Sequence, residues 1–331
     1  MIEIDGSHEE GGGQILRTAL ALSTVTGKPF IIRSIRSKRP QPGLKPQHVM
    51  AIRAMEILTG ARFKGADVAS TEVEFWPGTL KPGDFSIDIG TAGSITLLLQ
   101  ALMLPVVASK QDVSLKITGG TDVEWSQPWD HFNTILRPFI QGRLDANLVR
   151  RGYYPMGGGI VELAFSEKPS YEHLILKERG KIDFITGVSH ASCSLAKGKV
   201  AERQAESCKH HLSNLGVPIE IEVSYSDSLS PGSGIFIAAH YGTNIIGSSA
   251  LGRIGKRAEA VGDEAARGLL EELKSGAPLD SYTGDQLLQF LRPGDVIQVP
   301  EITGHIKSGL YVSELFLGKT LAVEGKLIRA L

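Results

Sequence analysis

"QILRTALALSTVTGKPFIIRSI", Gln14–Ile35, joins an apolar helix to an apolar strand with only Gly27, Lys28 and Pro29 between them. Leucine and alanine recur through the first part at helical spacing, and Gly27 supplies the left-handed conformation that ends a helix. "PFIIRSI" is rich in β-branched and aromatic residues, which favour an extended, half-buried backbone. Read outward, "MIEID" forms a strand before this unit. "PQHVMAIRAMEILT" forms a second helix after it, with proline near the first turn and Gly60 at the end, and strands follow near Arg62–Gly65 and at "STEVEFW". The order is β-α-β-α-β-β.

The same order recurs as "FSIDI", "GSITLLLQALMLPVVAS", "DVSLKIT", "WDHFNTILRPFIQ", "RLDANLVR" and "GIVELAF". A third copy opens with "YEHLILK" and resumes only as "YTGDQLLQFL", "DVIQVP", "IKSGLYVSELFL", "TLAVE" and "KLIRA". Between them lies a stretch with strands and helices of its own, from "KIDFITGVS" to "KRAEAVGDEAARGLLEELKSG", long enough to bury a separate core. The expected fold class is therefore α/β (α+β): three βαβαββ repeats form a main body over residues 1–180 and 277–331, and a smaller α/β domain over 181–276 is inserted in the third repeat.

The chain has 331 residues, 42% hydrophobic and 21% charged, which suits a soluble globular protein. No run of about 18 apolar residues is present, and the polar start "MIEIDGSHEE" is unlike a signal peptide, so a cytoplasmic protein without a membrane partner is expected. Cys193 and Cys208 lack the close spacing of a zinc site, and two cysteines make no disulfide framework. A net charge of −1 gives the whole molecule no bias towards nucleic acid. A polyanion must therefore meet a local patch.

Such a patch lies between residues 11 and 55, where Arg17, Lys28, Arg33, Arg36, Lys38, Arg39, Lys45 and Arg53 face no acidic residue in the same stretch. Its loop "SIRSKRPQPGLKPQH" is stiffened by proline, and guanidinium groups on such a loop suit phosphate, which they grip with two N–H groups at once. A solvated basic surface is the competing reading. Glycine-rich segments, "HEEGGGQ" and "GTAGS", stand at strand-to-helix junctions, where backbone N–H groups and the helix dipole receive anions, although tight turns alone would also need glycine. Neither matches the P-loop or dinucleotide pattern. Glu10, before the first glycines, offers a hard oxygen to Mg2+ or Mn2+, or is a surface carboxylate. Trp76, Trp125 and Trp129 are expected to pack in or beside the core, with base stacking the alternative.

Seven segments in this order, "EGGGQILRTALALS", "SIRSKRPQPGLKPQH", "GTAGSITLLLQALMLP", "GGTDV", "GYYPMGGG", "GDQLL" and "TGHIKSGLYVSELF", resemble the RNA 3′-terminal phosphate cyclases along essentially the whole chain. Their order and spacing together carry the resemblance. It implies a body of βαβαββ repeats with an inserted domain, and an ATP-dependent, AMP-forming reaction of the ligase class that turns an RNA 3′-phosphate into a 2′,3′-cyclic phosphate. It further implies that His305 is the nucleophile that takes AMP from ATP. Gln100 and the run Tyr282, Thr283, Gly284, Asp285, Gln286 resemble the ATP-contacting elements, Glu10 the metal-holding residue, and Arg17, Arg36, Arg39, Gln47 and His48 the residues facing the nucleotide phosphates and the RNA end.

Two departures touch these segments. Tyr282-Thr283-Gly284 stands where relatives often have His-Leu-Ala, and Ser308-Gly309 where many have Thr-Asn. Two other classes share the fold: cyclase-like ribosome-assembly factors that bind RNA or protein without catalysis and lack the histidine, and enolpyruvyl transferases, which lack the insert. Without its context, His305 in "EITGHIKSGLYVSELF" would read as a structural polar residue at the start of a helix.

Overall fold

The computed structural model describes residues 1–9, 11–140, 143–166, 172–242 and 244–331. The first unit runs β1 (Ile2–Asp5), α1 (Gly13–Thr26), β2 (Phe30–Arg33), α2 (Pro46–Thr59), β3 (Arg62–Lys64) and β4 (Val73–Trp76). Its sheet has the order β1-β2-β4-β3, with β1 and β2 parallel and the other pairs antiparallel. Both helices stop on a left-handed glycine, Gly27 at φ 69° and Gly60 at φ 72°. An L side chain there would be strained.

The second unit runs β5 (Gly83–Asp88), α3 (Ile95–Ser109), β6 (Val113–Gly119), a short α4 (Trp129–His131), β7 (Arg143–Arg150) and β8 (Gly159–Ser166), in the sheet order β5-β6-β8-β7. The helix expected over "WDHFNTILRPFIQ" is interrupted: α4 passes into a π turn at Phe132–Leu136 and a 3-10 turn at Arg137–Phe139. Pro138 brings no N–H to an α-helical ladder there. Next comes β9 (Ile175–Leu176).

β10 (Phe184–Ser192), α5 (Val200–Leu212), β11 (Ile219–Ser226), β12 (Ser233–Tyr241), β13 (Asn244–Leu251) and α6 (Ala258–Ser275) make a sheet of order β11-β10-β12-β13. Cys208, Leu212, Ile235, Ile237, Val261 and Leu269 pack in a core of its own between that sheet and the two helices. The chain ends with α7 (Thr283–Leu287), β14 (Val296–Gln298), α8 (Gly304–Leu317), β15 (Leu321–Glu324) and β16 (Leu327–Ala330). The last sheet, read from β9, is β9-β14-β16-β15. Three sheets therefore share one pattern, in which the first strand pairs the second and the fourth lies between second and third.

One large core, including Ile15, Leu20, Phe30, Phe75, Leu99 and Phe316, joins these three sheets and their helices. Within it α1 packs against both α3 and α8. Side chains from α1, α3 and α8, helices of three separate units, can therefore meet. The tryptophans divide: Trp129 is buried, Trp76 lies under Lys64 Nζ at 5.4 Å from its ring centroid, and Trp125 is 93% exposed, against the expectation that it packs by the core. No described helix is long and apolar enough to cross a membrane. Cys193 and Cys208 are both free, the first exposed and the second buried.

Candidate active site

Thr303 starts α8, its hydroxyl accepting from the N–H of Ile306 at 3.1 Å. His305 therefore sits in the first helical turn, beside N–H groups and a helix dipole that favour negative charge. Its side chain is 44% exposed, open to a ligand. Its Nδ1 lies 3.3 Å from Oδ2 of Asp285 on α7, whose side chain is 12% exposed. Burial raises the Asp285 carboxyl above its ordinary value, against the opposing pull of His305 and Arg17.

Arg17 on α1 reaches the same place from the other side. Its Nε donates to Gln100 Oε1 on α3 at 2.8 Å and its Nη2 to Gln14 Oε1 at 3.2 Å. Burial lowers its guanidinium to about 10, with Asp285 raising and Arg36 lowering it. It still carries its charge near neutrality. His305, Asp285, Arg17 and Gln100 thus converge from four helices, and Gln289 Nε2 fixes the α3 backbone beneath them by donating to Gln100 O at 3.2 Å.

The basic loop closes over the N-terminus of α1. Lys45 N donates to His48 Nδ1 at 3.0 Å, so the neutral ring carries its proton on Nε2. An ideal Cβ built on Gly13 would fall 2.3 Å from that Nε2 and 2.7 Å from Arg17 Nη1, so both donors press on the glycine. Burial, reinforced by Arg17, Arg36 and Lys45, lowers the His48 imidazole to about 3. Arg36 stands in the left-handed region at φ 55°, and a Cβ on Gly12 would lie 3.4 Å from Arg39 Nη2. Gln47 faces the second glycine loop, its Cβ 3.6 Å from where a Cβ on Gly93 would fall. These donors and cations form one anion-seeking cluster at the N-terminus of α1.

The other expected positions scatter more. Tyr282 is 55% exposed, whereas Thr283, Gly284 and Gln286 are buried. Gln286 Nε2 donates to Tyr282 O at 3.1 Å. Glu10 lies outside the described residues. Among the described residues, the acids and histidines whose ligand atoms could meet on a metal are Asp122, Asp130 and His190. Arg151 Nη1 already stands 2.8 Å from Asp130 Oδ2 and 3.1 Å from Asp122 Oδ2, so a cation fills that cage and a divalent ion does not fit it.

Asp280 was not singled out in the sequence. Its Oδ1 accepts from Tyr282 N at 3.1 Å, Thr283 N at 2.8 Å and Thr283 Oγ1 at 2.8 Å, and so holds the start of α7. Its Oδ2 accepts from Gly247 N on β13 at 3.2 Å and faces His131 Nε2 at 3.3 Å. Burial alone would raise its carboxyl, but His131 and the Thr283 donors outweigh burial and hold it below the ordinary value. The pattern Asp-Ser-Tyr-Thr before a helix is a helix-start signal that could have found it.

Residues 8–323 match the family model described as RNA 3′-terminal phosphate cyclase. The chain is 50% identical to the RNA 3′-terminal phosphate cyclase of Pyrococcus furiosus, covering 98% of this chain and 96% of that protein. It is 46% identical to the protein of that name from Archaeoglobus fulgidus, over 99% of both chains, and 41% identical to that from Methanopyrus kandleri, over 98% of this chain and 96% of that one. With a match of this length and closeness, the chain belongs to the RNA 3′-terminal phosphate cyclase family and is an enzyme of that type.

Proposed function

We propose that this protein uses ATP to convert an RNA 3′-terminal phosphate into a 2′,3′-cyclic phosphodiester through a covalent histidine-AMP intermediate. The observation that supports it most is the approach of His305 Nδ1 to Asp285 Oδ2 at 3.3 Å, beside Arg17 and the N-terminus of α8. With Nδ1–H donated to the carboxylate, the lone pair lies on Nε2. A phosphomonoester cannot cyclise readily, because the 2′-hydroxyl would have to expel an oxide, so activation must come first.

Nε2 of His305 attacks the α-phosphorus of ATP, the bond from that phosphorus to its bridging oxygen breaks, and pyrophosphate leaves. An oxygen of the RNA 3′-phosphate then attacks the same phosphorus and the P–N bond breaks, returning the imidazole. Finally the vicinal 2′-hydroxyl attacks the RNA phosphorus, loses its proton and expels AMP. Each displacement gathers charge on phosphate oxygens, where Arg17 and the helix N-terminus stabilise it best.

In this reading Gln100 and the segment Tyr282, Thr283, Gly284, Asp285, Gln286 serve the nucleotide; the burial of Thr283 and Gly284 leaves backbone groups for any contact with the base. Arg17, Arg36, Arg39, Gln47 and His48 serve the phosphates and the RNA end. We assign Glu10 as ligand to a Mg2+ or Mn2+ ion that neutralises triphosphate charge when bound. The same reading divides the chain into a catalytic body, 1–180 with 277–331, and an inserted domain, 181–276, supported by the separate core around Cys208 and Leu269. Two free cysteines agree with a cytoplasmic protein.

Incubation with ATP labelled at the α-phosphate and either metal should leave acid-labile label on the protein, and His305→Ala should abolish it. A wild type that never acquires label with either metal would sink the proposal.

A further inference from the structure

Trp125 is 93% exposed and adopts φ 66°, a left-handed backbone that a bulky side chain rarely takes. Neither core packing nor chain economy accounts for a strained indole held in water. Its loop is not loose. Ser126 Oγ donates to Val123 O at 3.0 Å, and Thr96 Oγ1, in the first turn of α3, donates to Gln127 O at 2.6 Å. The loop is thereby tied to the helix that starts at the glycine segment Gly90–Ser94.

A second exposed ring lies on the segment bridged to this loop. Asp122 pairs in a parallel bridge with Tyr153, so Trp125, three residues after the one, and Tyr154, directly after the other, leave the same bridge. Tyr154 is 76% exposed and Met156 61% exposed. The tip is clamped all round: Tyr153 Oη meets His190 Nδ1 at 2.8 Å, Met156 N donates to Ser230 Oγ at 3.1 Å, and Gly157 N donates to Tyr153 O at 2.8 Å. Gly157, at φ 66°, lies so close to the glycine segment that a Cβ there would meet Thr91 O at 2.7 Å. Rigid rings held out to solvent are pre-organised for a planar partner and lose little entropy on meeting one.

The position of these rings favours nucleic acid over a protein partner. The glycine segment touches Gln47 at Gly93, and Gln47 adjoins His48, which with Arg17 lines the phosphate-seeking surface. Arg150 adds a cation beside the Tyr154 tip, its Nε donating to Gly158 O at 2.8 Å. One edge of the molecule thus runs from the site of the chemistry, past two glycine loops, to two exposed aromatic rings. Glu124, exposed beside Trp125, makes that end a poor seat for phosphates and leaves stacking as its main attraction.

We propose that Trp125 and Tyr154 form a stacking subsite for bases of the RNA strand lying 5′ of the reacting end. The proposal rests on the RNA-end reaction set out above, and it adds a determinant of substrate length.

The test compares two 3′-phosphorylated substrates, a nucleoside 3′-phosphate that reaches only the reacting end and a single-stranded oligonucleotide about 10 nucleotides long. Trp125→Ala or Tyr154→Ala should raise KM for the oligonucleotide about 5- to 100-fold, with the mononucleotide unchanged. Trp125→Phe should recover most of the loss, since a ring remains. Fluorescence anisotropy of the labelled oligonucleotide should show the same order of affinities, while self-adenylylation, which needs no RNA, keeps its wild-type level. Equal losses on both substrates, or no loss on either, overturn the subsite; no loss would assign the rings to a protein partner. A wild type that acquires no AMP overturns the reaction instead, and the anisotropy comparison then still decides whether the rings hold RNA.

Discussion

His305 Nδ1 lies 3.3 Å from Asp285 Oδ2, joining a half-exposed imidazole on α8 to a nearly buried carboxylate on α7. In the proposed reaction the carboxylate would fix the tautomer and stabilise charge on the ring. Asp285→Asn keeps the shape, loses the charge and permits the wrong tautomer. We expect self-adenylylation to fall by roughly 10²- to 10⁴-fold. Because burial raises the Asp285 carboxyl, ionising it opposes folding, and native stability falls as pH rises from the unfolded value of 3.8 through the raised folded value. The variant should therefore melt higher than wild type at pH 7 while being far less active. A variant that is less stable and nearly as active would show that the pair is structural.

His48 supplies a pH dependence of opposite sense. Its folded pKa is lowered to about 3 against an ordinary 6.5. Between these values the unfolded chain binds a proton that the folded chain does not, so this group's contribution to stability declines as pH falls from 6.5 towards 3, by up to about 1.4 kcal/mol per pH unit. His48→Gln removes the titration. Urea unfolding across pH 4 to 7 should give a shallower acid decline for the variant. Parallel curves would mean that the ring titrates normally.

Gly13 is held small by its neighbours, not by its dihedrals. An added Cβ meets His48 Nε2 at 2.3 Å and Arg17 Nη1 at 2.7 Å, both on side chains that can move. Gly13→Ala should fold, since alanine favours the helix, yet displace both donors from the α1 N-terminus. A shift of about 1 Å in groups that position reactants can lower turnover about 100-fold. Full activity with unchanged melting would show that neither donor needs its present position.

The βαβαββ order was legible because α1 and α3 carry strong apolar patterns, and because α1 and α2 end at Gly27 and Gly60, whose left-handed backbone stops a helix. The helix expected from residue 129 onward is interrupted over residues 132–139, since apolar spacing does not distinguish an α-helix from π and 3-10 turns near Pro138. Single candidate site residues are named in the sequence only through family resemblance. What brings Arg17, Gln100 and His305 together is the packing of α1 between α3 and α8, a relationship across nearly three hundred positions that no local spacing encodes. Trp125 was misjudged for a similar reason, because composition favours burying an indole, whereas Trp125 stands 93% exposed on a backbone at φ 66°.

Arg39 and Arg17 should separate by step. Arg39 Nη2 lies over Gly12, at the mouth of the first glycine loop, whereas Arg17 reaches in towards Asp285. Arg39→Ala is expected to weaken use of RNA ends more than self-adenylylation, and to reduce the slope of log affinity for RNA against log salt by about 1. Equal losses in both steps, with the salt slope unchanged, would assign the guanidinium to ATP.

Asp280 tests whether the inserted unit helps to hold the active site. One of its oxygens accepts from Tyr282 and Thr283 at the head of α7, and the other accepts from Gly247 on β13. Asp280→Asn keeps an acceptor for α7 but loses the charge facing His131, whereas Asp280→Ala leaves all of these donors without it. The alanine variant should lose about 3 kcal/mol or more in chemical denaturation, because buried N–H groups and a facing imidazole are left without their acceptor. It should also lower self-adenylylation well below its melting temperature, since α7 carries Asp285 and its first turn is no longer anchored. The asparagine variant should fall between alanine and wild type in both measurements. If alanine and asparagine lose stability alike while adenylylation stays intact in both, Asp280 acts only on the packing of β13 against α4, and Asp285 is oriented without it.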